Sequence, residues 1–146
     1  MRVLGLDVGE RRIGVAMSDP SGTLASSHTV IERKDLTTDL KRILAIIGEF
    51  EVQQVVVGLP RSLDGSIGPQ AQKVLEFMET LQRRTRMPVV TQDEWLSTVG
   101  AGRALAAAGV RGKQRRERID AEAAAFILQG YLDRERARRT WDFSDS

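Results

Sequence analysis

Acidic side chains stand at three places in the chain where they could act together on a substrate. Asp7 interrupts an apolar, alternating segment, whereas Asp93 and Glu94 directly follow one. Asp120 precedes an alanine-rich segment with helical spacing. Because burying an unpaired carboxylate is very costly, a carboxylate inside a sheet is expected to be paired, hydrogen-bonded or bound to a metal ion.

The chemistry of these groups predicts a hard cation. The chain has no Cys and a single His, His28, so oxygen atoms dominate the available ligands. Oxygen ligands favour Mg²⁺ or Mn²⁺. In phosphodiester hydrolysis such ions orient the water and stabilise the attacking and leaving oxygens, whereas carboxylates alone would repel the phosphate. The acids therefore predict a metal-dependent hydrolase.

Each acid also has a structural interpretation. Asp7 could cap the turn at Gly9, and Asp93 and Glu94 could be N-terminal acids of the helix that follows. Asp120 could be the N-cap of the last helix. Only one of Asp93 and Glu94 can point inward from the sheet, and the pattern alone does not choose between them.

The acids are positioned first by three predicted strands. Residues 2–8, 12–18 and 24–31 alternate in the manner of strands, and short turn segments separate them. Such connections predict an antiparallel meander. The glycines at positions 5 and 9 are expected to leave open space beside Asp7.

The rest of the chain alternates between helix and strand. Strands are predicted at 53–58 and 88–92, and helices at 35–50, 68–84, 96–108 and 120–138. Strands joined through helices lie parallel. The pattern predicts an α/β fold with a five-stranded mixed sheet, a three-strand antiparallel meander plus two parallel strands, and helices on both faces. This arrangement matches the ribonuclease H-like architecture.

Length and composition predict one domain. The chain has 146 residues, which suffice for a core without disulfides or a structural metal. We place this domain at residues 1–139 and a tail at 140–146. The apolar segments are far shorter than the roughly 20 residues of a membrane span. The N-terminus has no signal-peptide pattern, so a cytoplasmic location without membrane association is expected.

The basic residues are concentrated near the C-terminus. Residues 1–100 carry 12 basic and 13 acidic side chains, whereas residues 101–140 carry ten and five. The segment 111–118 is expected to be a mobile loop that orders on nucleic acid and brings Lys113, Arg115 and Arg116 close to Asp120. A solvated helix face with ion pairs four residues apart is the alternative interpretation of such clusters.

Four segments together resemble a known family. They are GLDVGERRIGVAMSD (5–19), VVVGLPRSLDGSIGPQA (55–71), TQDEWLST (91–98) and GKQRRERIDAEAAAFILQGYL (112–132). Their order and spacing resemble the YqgF family of small bacterial proteins. That family is related to the RuvC-type Holliday junction resolvases, has a ribonuclease H-like fold, and is associated with pre-16S ribosomal RNA processing or junction resolution.

The resemblance implies a metal-dependent endonuclease with Mg²⁺ or Mn²⁺ as cofactor. Asp7, Glu94 and Asp120 stand at the acidic positions that the family uses for catalysis and metal binding. The family usually has Arg after the Asp-Glu pair, whereas this chain has Trp95. A cation that could contact phosphate is replaced there by an indole that could stack on an unpaired base.

Two further arginines are candidates for phosphate contacts. Arg12 follows Asp7 in the first hairpin, and Arg61 follows the strand at 53–58. Loops on a rigid scaffold are common sites of ligand contact, although a solvated surface role is the alternative for both residues. His28 lies outside the acidic set, and we interpret it as structural.

Several functions remain open. The leading hypothesis is endonucleolytic processing of pre-16S rRNA, with ribosomal particles as potential partners. A Holliday junction resolvase acting on branched DNA is the alternative within the same class, and it would require a dimer, so both monomer and homodimer are retained. A non-catalytic RNA-binding ribosome-assembly factor is a third hypothesis. An actin-like phosphotransferase is disfavoured, because such enzymes close two domains on the nucleotide.

Overall fold

The computed structural model describes residues 1–62, 64–95 and 112–144. The elements of these segments are strands β1 to β5 and helices α1 to α3. The strands are Val3–Val8, Arg12–Ser18, Ala25–Glu32, Gln54–Arg61 and Val89–Trp95. The helices are Leu36–Glu49, Pro69–Arg84 and Lys113–Ser144.

The strands form one mixed sheet in the order β3-β2-β1-β4-β5. β1, β2 and β3 pair antiparallel, whereas β4 pairs parallel with both β1 and β5. The predicted meander and the two parallel strands are thereby confirmed. Because β1, β4 and β5 run in the same direction, their carboxyl ends meet at one edge of the sheet.

Helices cover both faces of the sheet. On one face, α1 and α2 pack on the even-numbered residues of β1, Leu4 and Leu6, in the main core. On the other face, α3 packs through Ala124 and Leu128 on residues such as Val3. The described helices include none that is long and apolar enough to cross a membrane.

Four predicted boundaries differ by three or more residues, namely the ends of β4 and β5 and both ends of α3. β5 extends past residue 92 to Trp95, because β4 extends to Arg61 and pairs with it to the end. Helix α3 begins at Lys113, and the predicted loop at 111–118 is wrong over its described helical part. Lys, Arg, Gln and Glu are good helix formers, so this segment continues the helix. The helix also runs past residue 139, where we placed the domain end, and the predicted helix at 96–108 lies outside the described residues.

The turn between β2 and β3 is organised by Asp19. Its carboxylate accepts hydrogen bonds from the Ser21 hydroxyl at 2.7 Å and from the amides of Thr23 and Leu24 at 2.8 and 3.2 Å. These bonds, the one from Ser21 first, lower the pKa of Asp19 to about 2. The ionised carboxylate therefore stabilises the turn.

This turn makes stability depend on pH. Because the pKa is lower in the folded state than in the unfolded chain, the contribution of Asp19 is present above about pH 4 and is lost as the pH falls towards 2. We expect Asp19→Asn to lower the unfolding temperature at pH 6, and the difference from the wild type to disappear near pH 2. Thermal unfolding between pH 6 and 2 measures this difference, and a constant difference across that range would contradict the assignment.

Candidate metal and nucleic-acid site

Asp7 lies within β1 on the face that α3 covers. Its side chain alternates with Leu6, which belongs to the core on the opposite face. The residue is 8% exposed, so the carboxylate is buried in the sheet. In the register of the sheet, Asp7 pairs with Gly14 of β2. Since the Gly9 amide bonds the Arg12 carbonyl across the turn at 2.9 Å, the turn is closed by backbone atoms.

Glycines let α3 approach this face closely. A Cβ atom at Gly14 would overlap the carbonyl oxygen of Asp120, and one at Gly5 would lie 2.7 Å from Cβ of Leu128. The expectation of open space at positions 5 and 9 is therefore wrong. The space beside Gly5 is filled by α3, and a Cβ at Gly9 would lie 2.8 Å from the Arg12 carbonyl oxygen.

The structure distinguishes Asp93 from Glu94. Both lie inside β5, so neither is an acid of a following helix, and as neighbours in a strand they point to opposite faces. Glu94 is 6% exposed, and its Oε2 lies 3.3 Å from the position of a Cβ on Gly58. That same position lies 2.7 Å from Ile127 of α3, so Glu94 shares the α3 face with Asp7.

Asp93 instead points away from this face and forms an ion pair. Its Oδ1 accepts a hydrogen bond from Nε of Arg61 at 2.8 Å, and the side chain of Asp93 is 37% exposed. Arg61 also donates to the carbonyl of Gly65 at 3.2 Å. Arg61, which we had expected to contact phosphate, thus connects β5 to the loop after β4.

Asp120 reaches the site from α3. The N-cap interpretation is wrong, because the helix begins seven residues earlier at Lys113. The amide of Arg116 bonds the carbonyl of Gly112 at 3.3 Å, which places the first helical bond there. The carboxylate of Asp120 accepts a hydrogen bond from Nε of Arg12 at 2.6 Å, and both side chains are partly buried.

These three acids occupy one face of the sheet at its carboxyl edge. Within residues 1–62, 64–95 and 112–144, no group of three or more acidic or imidazole side chains is close enough to hold a metal ion together. The donors are nevertheless all carboxylate oxygens, which suit Mg²⁺ or Mn²⁺. A Cβ atom at Gly14 or Gly58 would meet α3 itself, so these glycines let α3 lie directly on the face that carries the acids. The residues therefore fit a hard cation in donor type, and they face the same side of the sheet.

The basic candidates divide into two groups. Arg115 and Arg116 are exposed on the first turns of α3, and Arg116 lies one helical turn before Asp120 on the same helix face. The backbone of Trp95 pairs with Arg61, but the side chains of Trp95 and Lys113 lie outside the part that the structure describes. The structure thus pairs Arg12 with Asp120 and places Arg116 one helical turn before Asp120, whereas Arg61 pairs with Asp93 on the other face.

His28 has a structural contact. Its ring packs edge-on against Phe50 with the centroids 4.8 Å apart, on the outer strand β3. The roles of Gly14 and Gly58 were not predicted from the sequence. Their signal was available only in part: each glycine interrupts an otherwise apolar strand, but the helix that fills the space is distant in sequence.

Comparison with known proteins gives the same fold and a family. Two structures of Thermus thermophilus RuvC, one in complex with a Holliday junction substrate, align with TM-scores of 0.55 and 0.56. They are 15% and 16% identical, and each alignment covers 94% of this chain and 96% or 97% of the other. At this identity the likeness concerns the fold, and it confirms the predicted fold class.

Sequence relatives are much more similar. A Moorella thermoacetica protein named "Putative pre-16S rRNA nuclease" is 48% identical over 134 residues, which cover 92% of this chain and 96% of that protein. A protein of the same name from Thermoanaerobacter pseudethanolicus is 47% identical over 137 residues, with coverage of 93% and 99%. The sequence model of the RuvX family, described as Holliday junction resolvase, matches residues 1–134. The resemblance carried by the four motifs is confirmed, and the chain belongs to the RuvX family.

Proposed function

We propose that the protein is a metal-dependent endonuclease that processes pre-16S rRNA in the cytoplasm. The observation that carries this proposal is the placement of two buried carboxylates, Asp7 and Glu94, on one sheet face beneath the helix that bears Asp120. Burial of a carboxylate is costly unless the group is paired, hydrogen-bonded or bound to a cation, and active sites collect such groups. The names of relatives 47% and 48% identical support the RNA substrate.

The acidic residues would serve as metal ligands. Asp7, Glu94 and Asp120 would hold Mg²⁺ or Mn²⁺, which when bound activates water and stabilises the oxygens of the scissile phosphate. Arg115 and Arg116 are exposed beside this edge and would neutralise backbone phosphates. Trp95 follows Glu94 directly, and an indole there would stack on an unpaired base.

Branched DNA is the second candidate substrate. It is favoured by the description of the RuvX family model, which matches residues 1–134. The chemistry of the acids is the same for RNA and DNA, so the site residues do not separate the two. A junction resolvase cuts two strands and therefore needs two sites at a fixed separation.

The test compares cleavage of three end-labelled substrates. These are a pre-16S rRNA fragment, a single-stranded RNA of equal length and a four-way DNA junction, each with Mn²⁺ or with EDTA. We expect cutting of the rRNA fragment that EDTA abolishes and that Asp7→Asn lowers by more than about 100-fold, since even outer residues of metal sites cost 10–100-fold. Cutting of the junction alone would identify a resolvase. Salt-sensitive binding without any cutting would identify a binding factor and refute the nuclease.

A further inference from the structure

The ion pair between Arg12 and Asp120 joins the first hairpin to the last helix. The two residues are 108 positions apart, and Nε of Arg12 lies 2.6 Å from Oδ2 of Asp120. The Arg12 side chain is 27% exposed and that of Asp120 is 17% exposed, so water screens the pair only in part. Residues this far apart in the sequence form such a contact only in the folded chain.

The guanidinium of Arg12 places a positive charge beside Asp120 without any metal ion. Asp7 and Glu94 are buried on the same sheet face, and Asp120 lies above Gly14, the register partner of Asp7. Three carboxylates in one region repel each other. Arg12 supplies a positive charge beside Asp120. This charge reduces the repulsion among the carboxylates, as a bound divalent cation would.

We propose that Arg12 is a positioning residue with two successive partners. When the acids hold no divalent cation, Arg12 pairs with Asp120. When a divalent cation binds Asp120, it displaces Arg12, which then contacts a phosphate of the nucleic acid. The exchange follows from electrostatics, since a guanidinium and a divalent cation compete for one carboxylate. A released guanidinium matches phosphate in charge and in its fork of donors. This inference rests on the proposed metal site.

The exchange couples the two ligands. A cation on Asp120 frees Arg12 for phosphate, so cation and nucleic acid should each raise the affinity for the other, and by the same factor. A permanent structural role for Arg12 predicts the opposite for metal binding. If Arg12 only held Asp120 in place, its removal would weaken the metal site.

The first measurement is Mn²⁺ affinity, from electron paramagnetic resonance of free Mn²⁺. We compare the wild type with Arg12→Gln, and with Arg11→Gln as the control, because Arg11 is an exposed neighbour of the same charge. We expect Arg12→Gln to bind Mn²⁺ about tenfold more tightly, within the usual range of coupling between sites, and Arg11→Gln to match the wild type. Unchanged or weaker binding by Arg12→Gln overturns the proposal.

The second measurement is RNA binding with Ca²⁺ in place of Mg²⁺, compared with EDTA. Wild type and Arg11→Gln should bind RNA more tightly with Ca²⁺, and Arg12→Gln should lose most of this gain. Arg12→Lys keeps the charge and should restore the gain in part, which also covers the case in which Arg12→Gln does not fold. Absence of the gain in the wild type contradicts the exchange.

Asp7→Asn separates this inference from the proposed function. It is expected to abolish Mn²⁺ binding at the site while Arg12 and Asp120 remain. Wild-type Mn²⁺ affinity in Asp7→Asn would refute the metal site itself, and with it the exchange. Loss of binding in Asp7→Asn together with unchanged binding in Arg12→Gln would keep the metal site and refute only the role of Arg12.

Discussion

Replacement of Glu94 by Gln is expected to lower the rate of cleavage by more than about 100-fold, because loss of a proposed direct metal ligand should cost more than the 10–100-fold loss at an outer residue of a metal site. The neighbouring change Asp93→Asn removes the same charge one residue away and is the matched control. Glu94 is 6% exposed on the face of Asp7, whereas the Asp93 side chain is 37% exposed and pairs with Arg61. Asp93→Asn should cost about 0–1 kcal/mol of stability, as for an exposed ion pair, and leave the rate within about threefold.

Initial rates and Mn²⁺ affinity, measured on both variants, distinguish the two acids. Thermal unfolding shows whether each variant is folded. If Asp93→Asn loses Mn²⁺ binding and Glu94→Gln retains it, the assignment of the ligand is reversed.

Gly14→Ala is expected to have the largest effect on stability. The added methyl group would overlap the carbonyl oxygen of Asp120, which belongs to the backbone of α3 and cannot rotate away. Either β2 or α3 must shift, at a cost of about 3 kcal/mol, the upper end of the usual range for overpacking. For a domain of this size the unfolding temperature should fall by about 6–12 °C. Since Asp120 moves with the helix, Mn²⁺ affinity should fall as well.

Gly48→Ala is the matched control for this substitution. Gly48 lies near the end of α1, and a Cβ atom there would meet nothing within 4 Å. The same chemical change should therefore stabilise the protein by about 0.5–1 kcal/mol, because alanine favours the helix over glycine. Calorimetry of both variants checks the opposite signs, and similar unfolding temperatures for the two would contradict the close approach of α3 at Gly14.

The sheet was predictable because its strands carry clear local signals. The segment that became β1 is short and mostly apolar, and residues typical of turns follow it. β5 was predicted too short, since Asp93 and Glu94 have low strand propensity. Their strand conformation depends on pairing with residues 59–61 of β4, which is a tertiary contact. The start of α3 was not predicted, because a run of basic residues is compatible with either a loop or a helix. The hydrogen bond from the Arg116 amide to the Gly112 carbonyl, which marks the first helical turn, is visible only in the structure.

The acids of the proposed site could be selected from the sequence, but their surroundings could not. The residue types, and their positions in or after predicted strands or at the start of a predicted helix, can be read from the sequence. They led to Asp7, to the pair at 93 and 94, and to Asp120. The burial of Glu94 against Gly58, and the pairing of Asp120 with Arg12, join elements that are distant along the chain. Contacts of this kind follow from the folded arrangement and have no local signal.

The span of the Arg12 to Asp120 contact also bears on how the protein is made and degraded. Arg12 is synthesised before Asp120, which belongs to α3 and follows it by 108 residues. A nascent chain or a proteolytic fragment that ends between residues 95 and 112 therefore contains Asp7 and Glu94 but lacks the third acid of the proposed site. Incomplete chains should be inert towards RNA, and this would protect the transcripts of the cell from a nuclease that is still being translated.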